Sequence, residues 1–456
     1  MALVRYLALR GAVITVSDLK SADALADSIE ALAPFDVHFV LGGHPEQILD
    51  CDCLFVSPGV PLDIPILREA ARRGVSLSSE SRFFLEHCPA PLIGVTGSSG
   101  KTTTVTLVGE MLKKSGFKTW VGGNIGKPLT PFLDEIGTDD KVVMELSSFQ
   151  LQLMQSSPQL AAVLNIAPNH LDRHASMEEY TEAKGNILRF QRAEDVAVLN
   201  YGNTATRELA RLVKGRLVWF TTEHDLSEAR DVQLTDGRQA ASLSEGGFIK
   251  NGRLILRLGG QERAVAGQDD VRLRGRHNLQ NVLAACTIAA LAGAEAEAMA
   301  EVISEFQGVE HRLELVRELD GVKYYNDSIA TSPERSAAAL HSFDEPIILL
   351  AGGQDKHLPW DEWAALALVR TSAVILFGQA ADIIESALIK AMAKGQPGQD
   401  RPVIQRAQSL ERAVELAIRL AKTGDVVLLS PGGTSFDAFK DFEERGRYFK
   451  SLVAAL

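Results

Sequence analysis

Short apolar runs recur along this chain, each closed by a polar or glycine-rich stretch and followed by residues at helical spacing. The pattern predicts strands over 12–16 (closing at Asp18), 53–56, 92–96, 142–146, 161–165 and 196–200, and a helix over 67–73 that stops at Gly74. Residues 248–256 alternate about Asn251-Gly252, a hairpin signal. A small-residue helix is predicted over 279–291. The last part returns to the strand–loop–helix pattern, with strands over 322–325, 347–350, 374–377 and 426–429. Strands alternating with helices imply parallel sheets covered by helices. Ligands of such sheets sit beyond the carboxyl ends of the strands, so the loops there are where chemistry is sought. The expected fold is α/β in three domains, residues 1–88, 89–308 and 309–456, with no repeat at fixed period.

Composition narrows the class. The chain has 456 residues, 46% hydrophobic and 23% charged, which is globular usage. No apolar run reaches the roughly 18 residues of a membrane helix, and residues 1–20 lack a leader pattern. A cytoplasmic protein with no membrane partner is expected. The net charge of −12, with no basic block, argues against nucleic acid as a partner. Cys51-Asp52-Cys53 has neither redox nor zinc spacing, and the four cysteines read as reduced thiols.

The most informative segment is Thr96-Gly97-Ser98-Ser99-Gly100-Lys101-Thr102-Thr103. A strand enters a glycine turn and a helix starts. Backbone N–H groups there can wrap a phosphate, Lys101 can reach the outer phosphates, and the Thr102 hydroxyl can take Mg²⁺. The spacing is one form shorter than the usual phosphate loop, because Val95 stands where its first glycine would be. The bland alternative is an ordinary glycine-rich turn. Glu145 ends a strand, as a solvated carboxylate or as an oxygen ligand for Mg²⁺.

These residues resemble the ATP-binding motif of the Mur ligase family, which includes the cell-wall ligases and folylpolyglutamate synthase. The string Glu145-Leu146-Ser147-Ser148-Phe149-Gln150-Leu151 looks like that of its D-glutamate-adding branch, and Gly122-Gly123-Asn124-Ile125-Gly126 like its substrate loop. The resemblance implies an ATP-dependent ligase joining D-glutamate to UDP-N-acetylmuramoyl-L-alanine through an acyl phosphate, in cytoplasmic peptidoglycan precursor synthesis, and acting as a monomer. It assigns Gly97, Ser98, Ser99, Gly100, Lys101, Thr102 and Thr103 to ATP. It gives Thr102, Glu145, His170 and Lys184 to Mg²⁺, with Lys184 carbamylated by CO₂. Lys101, Glu145, His170 and Lys184 form its catalytic set.

Further resemblances lie in order along the chain. Asn278 and Asn281, three apart, share a helix face and match the family's nucleotide contacts; a helix cap is the alternative for Asn278. His311-Arg312 looks like the family's pair in which the arginine, here Arg312, faces ATP. Asn326-Asp327-Ser328 matches its Asn-Asp-Ser motif, with Asp327 toward the nucleotide. Thr331, Lys356, Ser435 and Phe442 fall on acceptor positions, with Lys356 for the side-chain carboxylate of glutamate. Asp18, Asn124, Ser147 and Gln150 fall on the acid-substrate side. The family commonly continues Asn-Asp-Ser with Lys; here Ile329 stands, which removes a cation from the acceptor side.

The opening departs from the family pattern. Asp18 closes a strand as the acidic residue of a Rossmann-like unit does, yet residues 4–10 read as the helix that should follow a first strand. The first domain is expected to lack that strand, through a start downstream of the true one or through genuine loss. Three rivals stay open: a sibling ligase with another acceptor, a phosphate-loop kinase or NTPase without ligation, and a non-catalytic nucleotide-binding protein.

Overall fold

The computed structural model describes residues 1–58, 60–126, 128–167, 176–226, 245–273, 275–356, 358–394 and 401–456. The chain divides into two compact units, one of Met1–Arg272 with Arg276–Phe306, the other of Leu273–Gly275 with Gln307–Leu456. The first two regions expected from sequence therefore lie in one unit.

The first unit opens with the helix Ala2–Ala8. Strands β1 (Ile14–Asp18) and β2 (Val37–Leu41) pair in parallel, and so do β3 (Cys53–Phe55) and β4 (Ser76–Ser78). These are two separate two-stranded sheets rather than one continuous Rossmann-like sheet, and the first described strand follows the helix, as anticipated. Leu49, Val56, Ile66, Leu67 and Ala70 form a small core here.

The larger sheet of this unit has β5 (Leu92–Thr96), β6 (Thr119–Gly123), β7 (Lys141–Glu145), β8 (Leu160–Val163), β9 (Val196–Asn200) and β10 (Arg216–Thr221) in parallel. It continues through β11 (Gly246–Lys250), β12 (Arg253–Leu258) and β13 (Gln261–Gly267), the last two antiparallel to their neighbours. Asn251 and Gly252 both take positive φ, which is the turn the hairpin signal predicts. The strand order is β13-β12-β11-β10-β9-β8-β5-β7-β6. The chain leaves β5 toward β6 and β7 on one side and later places β8 on the other. β5 is thus the point where strand order reverses, and a crevice opens at its carboxyl end. Leu92–Thr96 is buried throughout because it is covered on both faces.

In the second unit, β14 (Glu314–Leu319) runs antiparallel to β15 (Val322–Asn326). β15, β16 (Ile347–Gly352), β17 (Thr371–Phe377), β18 (Val403–Arg406) and β19 (Val426–Gly432) are parallel in the order β15-β19-β16-β17-β18. Alternate residues serve two cores: Leu349, Val374 and Leu428 on one face, Ile348, Ile375 and Val427 on the other. The loops after β15, β19 and β16 leave neighbouring carboxyl ends, so the topology brings these three loops together.

Candidate functional site

In the first unit the glycine turn follows β5, and the helix Lys101–Lys114 starts directly after Gly100. Gly100 has φ of 80° and abuts Asn281, whose carboxamide occupies the space a Cβ would need. That residue must be glycine on both counts. Asn281 is buried and its Nδ2 donates to Asn278 Oδ1 at 3.1 Å. The helix carrying both begins at Arg276, earlier than sequence suggested, so Asn278 lies within its first turn and is not the cap.

Two lysine amines converge beneath the turn. Lys101 Nζ and Lys184 Nζ donate to the same Gly97 carbonyl, at 2.9 and 3.0 Å. Lys184 is 1% exposed, on the helix Met177–Arg189, and its amine lies 4.6 Å from the centre of the Tyr180 ring. Burial first, then the nearby Lys101 charge, pushes its pKa down to about 6, against the opposing pull of Glu145. An amine with that pKa is neutral at pH 7, the form that reacts with CO₂.

Glu145 ends β7 beside the turn and is 2% exposed. Its Oε2 accepts from the Thr102 hydroxyl at 2.8 Å, and its Oε1 from Asn124 Nδ2 at 3.0 Å. The hydroxyl and carboxylate place hard oxygen donors side by side at the phosphate loop, a donor set that fits Mg²⁺. Lys184 as an unmodified amine offers no oxygen to that set, which carbamylation would supply. His170 lies outside the described residues. Thr103 is buried in the first turn of the helix.

Ser147 and Gln150 form a capping box on the short helix Ser148–Leu151, and Gln150 Nε2 donates to Ser81 at 2.8 Å. Both side chains thus shape the loop after β7. Asp18 ends β1, and its carboxylate accepts from Lys20 N–H at 2.8 Å.

Sequence reading passed over Asn165, seeing only a strand end. Its Oδ1 accepts from Ser99 N–H at 2.9 Å, its Nδ2 donates to Ser99 O at 3.1 Å, and its carbonyl accepts from Ser98 N–H at 2.9 Å. The Ser98 and Ser99 amides are therefore turned toward Asn165. The Ser98 hydroxyl meets Ala167 O at 3.0 Å and Tyr180 OH at 3.1 Å, joining the turn to the Lys184 helix.

The second unit gathers the other residues. Asp327 follows β15, fully buried; its carboxylate accepts from Ser430 Oγ at 2.8 Å and Leu313 N–H at 3.3 Å. Burial raises its pKa to about 7, against those hydrogen bonds and the charges of Arg312 and Arg335. His311 is buried, with Nδ1 2.9 Å from Asn326 Nδ2, and it packs on Gly446, where no side chain would fit. Lys450 Nζ bridges Glu310 and Glu314, at 3.0 and 2.5 Å, so one ammonium offsets half the charge of that acidic pair. Ser435 is buried, Thr331 half-buried and Lys356 exposed. Phe442 opens the last helix, Phe442–Ala454, and its carbonyl accepts from Ser328 Oγ at 2.7 Å.

Arg445, on the helix Phe442–Ala454, ties the loops after β15 and β19 together. It is 0% exposed and donates to Ser328 Oγ and O at 3.0 and 2.9 Å, and to Gly433 O and Thr434 O at 3.2 and 3.0 Å. Burial lowers its pKa to about 10. Nothing in the one-dimensional pattern separates such an arginine from a solvated one on a charged helix.

The chain resembles known proteins over its full length. Family models match residues 1–79 (Mur ligase MurD-like, N-terminal domain), 95–289 (Mur ligase middle domain) and 311–433 (Mur ligase, glutamate ligase domain). It is 47% identical over 457 residues to the UDP-N-acetylmuramoylalanine–D-glutamate ligase of Symbiobacterium thermophilum, covering 100% of this chain and 96% of that one. It is 44% identical to the protein of the same name from Acetivibrio thermocellus, covering 100% and 94%. The solved structure of MurF from Acinetobacter baumannii shares the fold, with a TM-score of 0.56 at 18% identity over 98% of this chain and 92% of that one.

Two outcomes follow from this geometry. Asn165→Ala removes hydrogen bonds that hold the turn, each worth about 1 kcal/mol of folding stability, so the melting temperature is expected to fall by a few degrees and calorimetric titration with ATP to show weaker binding to the loosened turn; unchanged melting temperature and affinity would contradict the role of Asn165. Asp327 has a folded pKa near 7 against about 3.9 unfolded. Its ionisation opposes folding progressively from about pH 4 to pH 7, and the cost is complete above pH 7. Asp327→Asn is expected to gain melting temperature over the parent at pH 8 and much less at pH 5; a gain independent of pH would contradict the buried-carboxyl account.

Proposed function

The chain belongs to the Mur ligase family, and from that membership we infer that it is an ATP-dependent ligase joining D-glutamate to UDP-N-acetylmuramoyl-L-alanine in peptidoglycan synthesis. The observation that carries the reading is the pair of lysine amines, Lys101 and Lys184, on one carbonyl of the phosphate loop, beside the Thr102–Glu145 oxygens.

The chemistry follows from the need to activate a carboxylate. A carboxylate is a poor electrophile, and phosphorylation by ATP gives it a leaving group. The turn and the amides from Gly100 onward hold the phosphates, and Lys101 offsets charge on the transferring group. Mg²⁺ would be held by Thr102 and Glu145, with His170 and a carbamylated Lys184 as further ligands, and would supply charge neutralisation for phosphoryl transfer. Asn124, hydrogen-bonded to Glu145, would stand on the acid-substrate side with Asp18, Ser147 and Gln150. In the second unit Asp327 and Arg312 would face the nucleotide, while Thr331, Lys356, Ser435 and Phe442 would receive D-glutamate. Its amine attacks the acyl phosphate, and inorganic phosphate leaves. No helix among the described residues is long and apolar enough to cross a membrane.

Phosphate release from ATP, measured with UDP-N-acetylmuramoyl-L-alanine and a panel of D- and L-amino acids, is expected to require D-glutamate. Release with another acceptor alone would revise the substrate, and release without any acceptor would favour a simple NTPase. Lys101→Ala is expected to lower kcat by about 10²–10³-fold. Lys184→Ala should lose activity and regain part of it with added short carboxylates; full activity in either variant would contradict the assigned roles.

A further inference from the structure

The strand end that braces the phosphate turn is itself braced from its other side. β8 pairs with β9 as far as Val163 and Leu199. Residues 164–167 run on past that ladder and lie beside the turn. Leu164 N–H donates to Thr96 O at 2.9 Å, Asn165 holds Ser98 and Ser99, and the Ser98 hydroxyl accepts from Ala167 N–H and donates to Ala167 O, both at 3.0 Å. On the far side β9 ends at Asn200, and two asparagines supply what further backbone would have. Asn200, 1% exposed, donates from Nδ2 to Leu164 O at 2.7 Å. Asn203 meets Ile166 twice: its Nδ2 donates to Ile166 O at 3.1 Å, and its Oδ1 accepts from Ile166 N–H at 3.4 Å.

Asn203 has a second task, and the two are separable. Its Oδ1 also accepts from Thr206 N–H at 3.1 Å, capping the short helix Thr204–Leu209. Serine or aspartate caps a helix equally well. Neither carries a separate donor and acceptor set apart like those of a peptide, as a carboxamide does. The cap therefore leaves the choice of asparagine unexplained, and the pairing with Ile166 accounts for it. The consequence runs toward the nucleotide. Successive residues face opposite ways, Asn165 and Ala167 toward the turn and Ile166 toward Asn203. Once Ile166 is unheld, residues 165–167 are free to shift together, and the Ser98 and Ser99 amides shift with them.

We propose that Asn203 is a positioning residue for ATP: by pairing with Ile166 it fixes the strand end that aligns the phosphate turn, and it acts on the nucleotide through Asn165. This rests on the phosphate-loop reading above and is independent of which amino acid is the acceptor.

The test is calorimetric titration of the full chain with ATP and Mg²⁺. Asn203→Ser keeps the cap and loses the pairing, so its melting temperature is expected within about 2 °C of the parent. The turn then spends less time in its binding form, and Kd for ATP is expected to rise roughly 3–10-fold. The double variant of Asn165→Ala with Asn203→Ser is expected to bind within about twofold of Asn165→Ala alone, because both act on one path. A cap without a positioning role would leave the affinity of Asn203→Ser at the parent value, and that result, beside a weakened Asn165→Ala, would overturn the assignment. Additive losses in the double variant would overturn the route through Asn165. A parent that does not bind ATP would refute the phosphate-loop reading itself and the assignment with it.

Discussion

A buried lysine amine sharing one backbone carbonyl with a second lysine is the constraint on which the first unit turns. Lys184 and Lys101 both donate to Gly97 O, and water is nearly excluded from Lys184. Two full positive charges there would repel at short range in a poorly screened setting. One amine loses its proton, an anion arrives, or both. The fold supplies the surroundings that enforce this. β5 is the switch point of a parallel sheet, so β7 brings Glu145 to one side and the end of β8 brings Asn165 to the other. The turn between them is held by both the backbone and the side chain of Asn165.

The second unit meets a related problem in another way. Its loops after β15, β16 and β19 have little regular structure of their own. A buried guanidinium, Arg445, joins two of them through carbonyl and hydroxyl acceptors instead of through a carboxylate.

The strands were legible because parallel strands covered on both faces read as continuous apolar runs, and residues 92–96 and 196–200 match to the residue. The phosphate loop was legible because only glycine suits Gly100 and a lysine follows at once. Ends decided by local hydrogen bonding were harder: Asn278 read as a possible cap because the Arg276 turn has no apolar signal. Asn165 and Arg445 stayed hidden for a deeper reason. Their roles come from contacts with residues distant in sequence, and spacing does not encode that.

The central claim is that ATP activates the acid substrate by forming an acyl phosphate at the Gly97–Thr103 loop. The most direct test labels the carboxylate of UDP-N-acetylmuramoyl-L-alanine with ¹⁸O and follows turnover with D-glutamate by mass spectrometry of the released phosphate. The account predicts that one labelled oxygen passes from the carboxylate to each phosphate formed. Phosphate free of label, with amide product still accumulating, would contradict it.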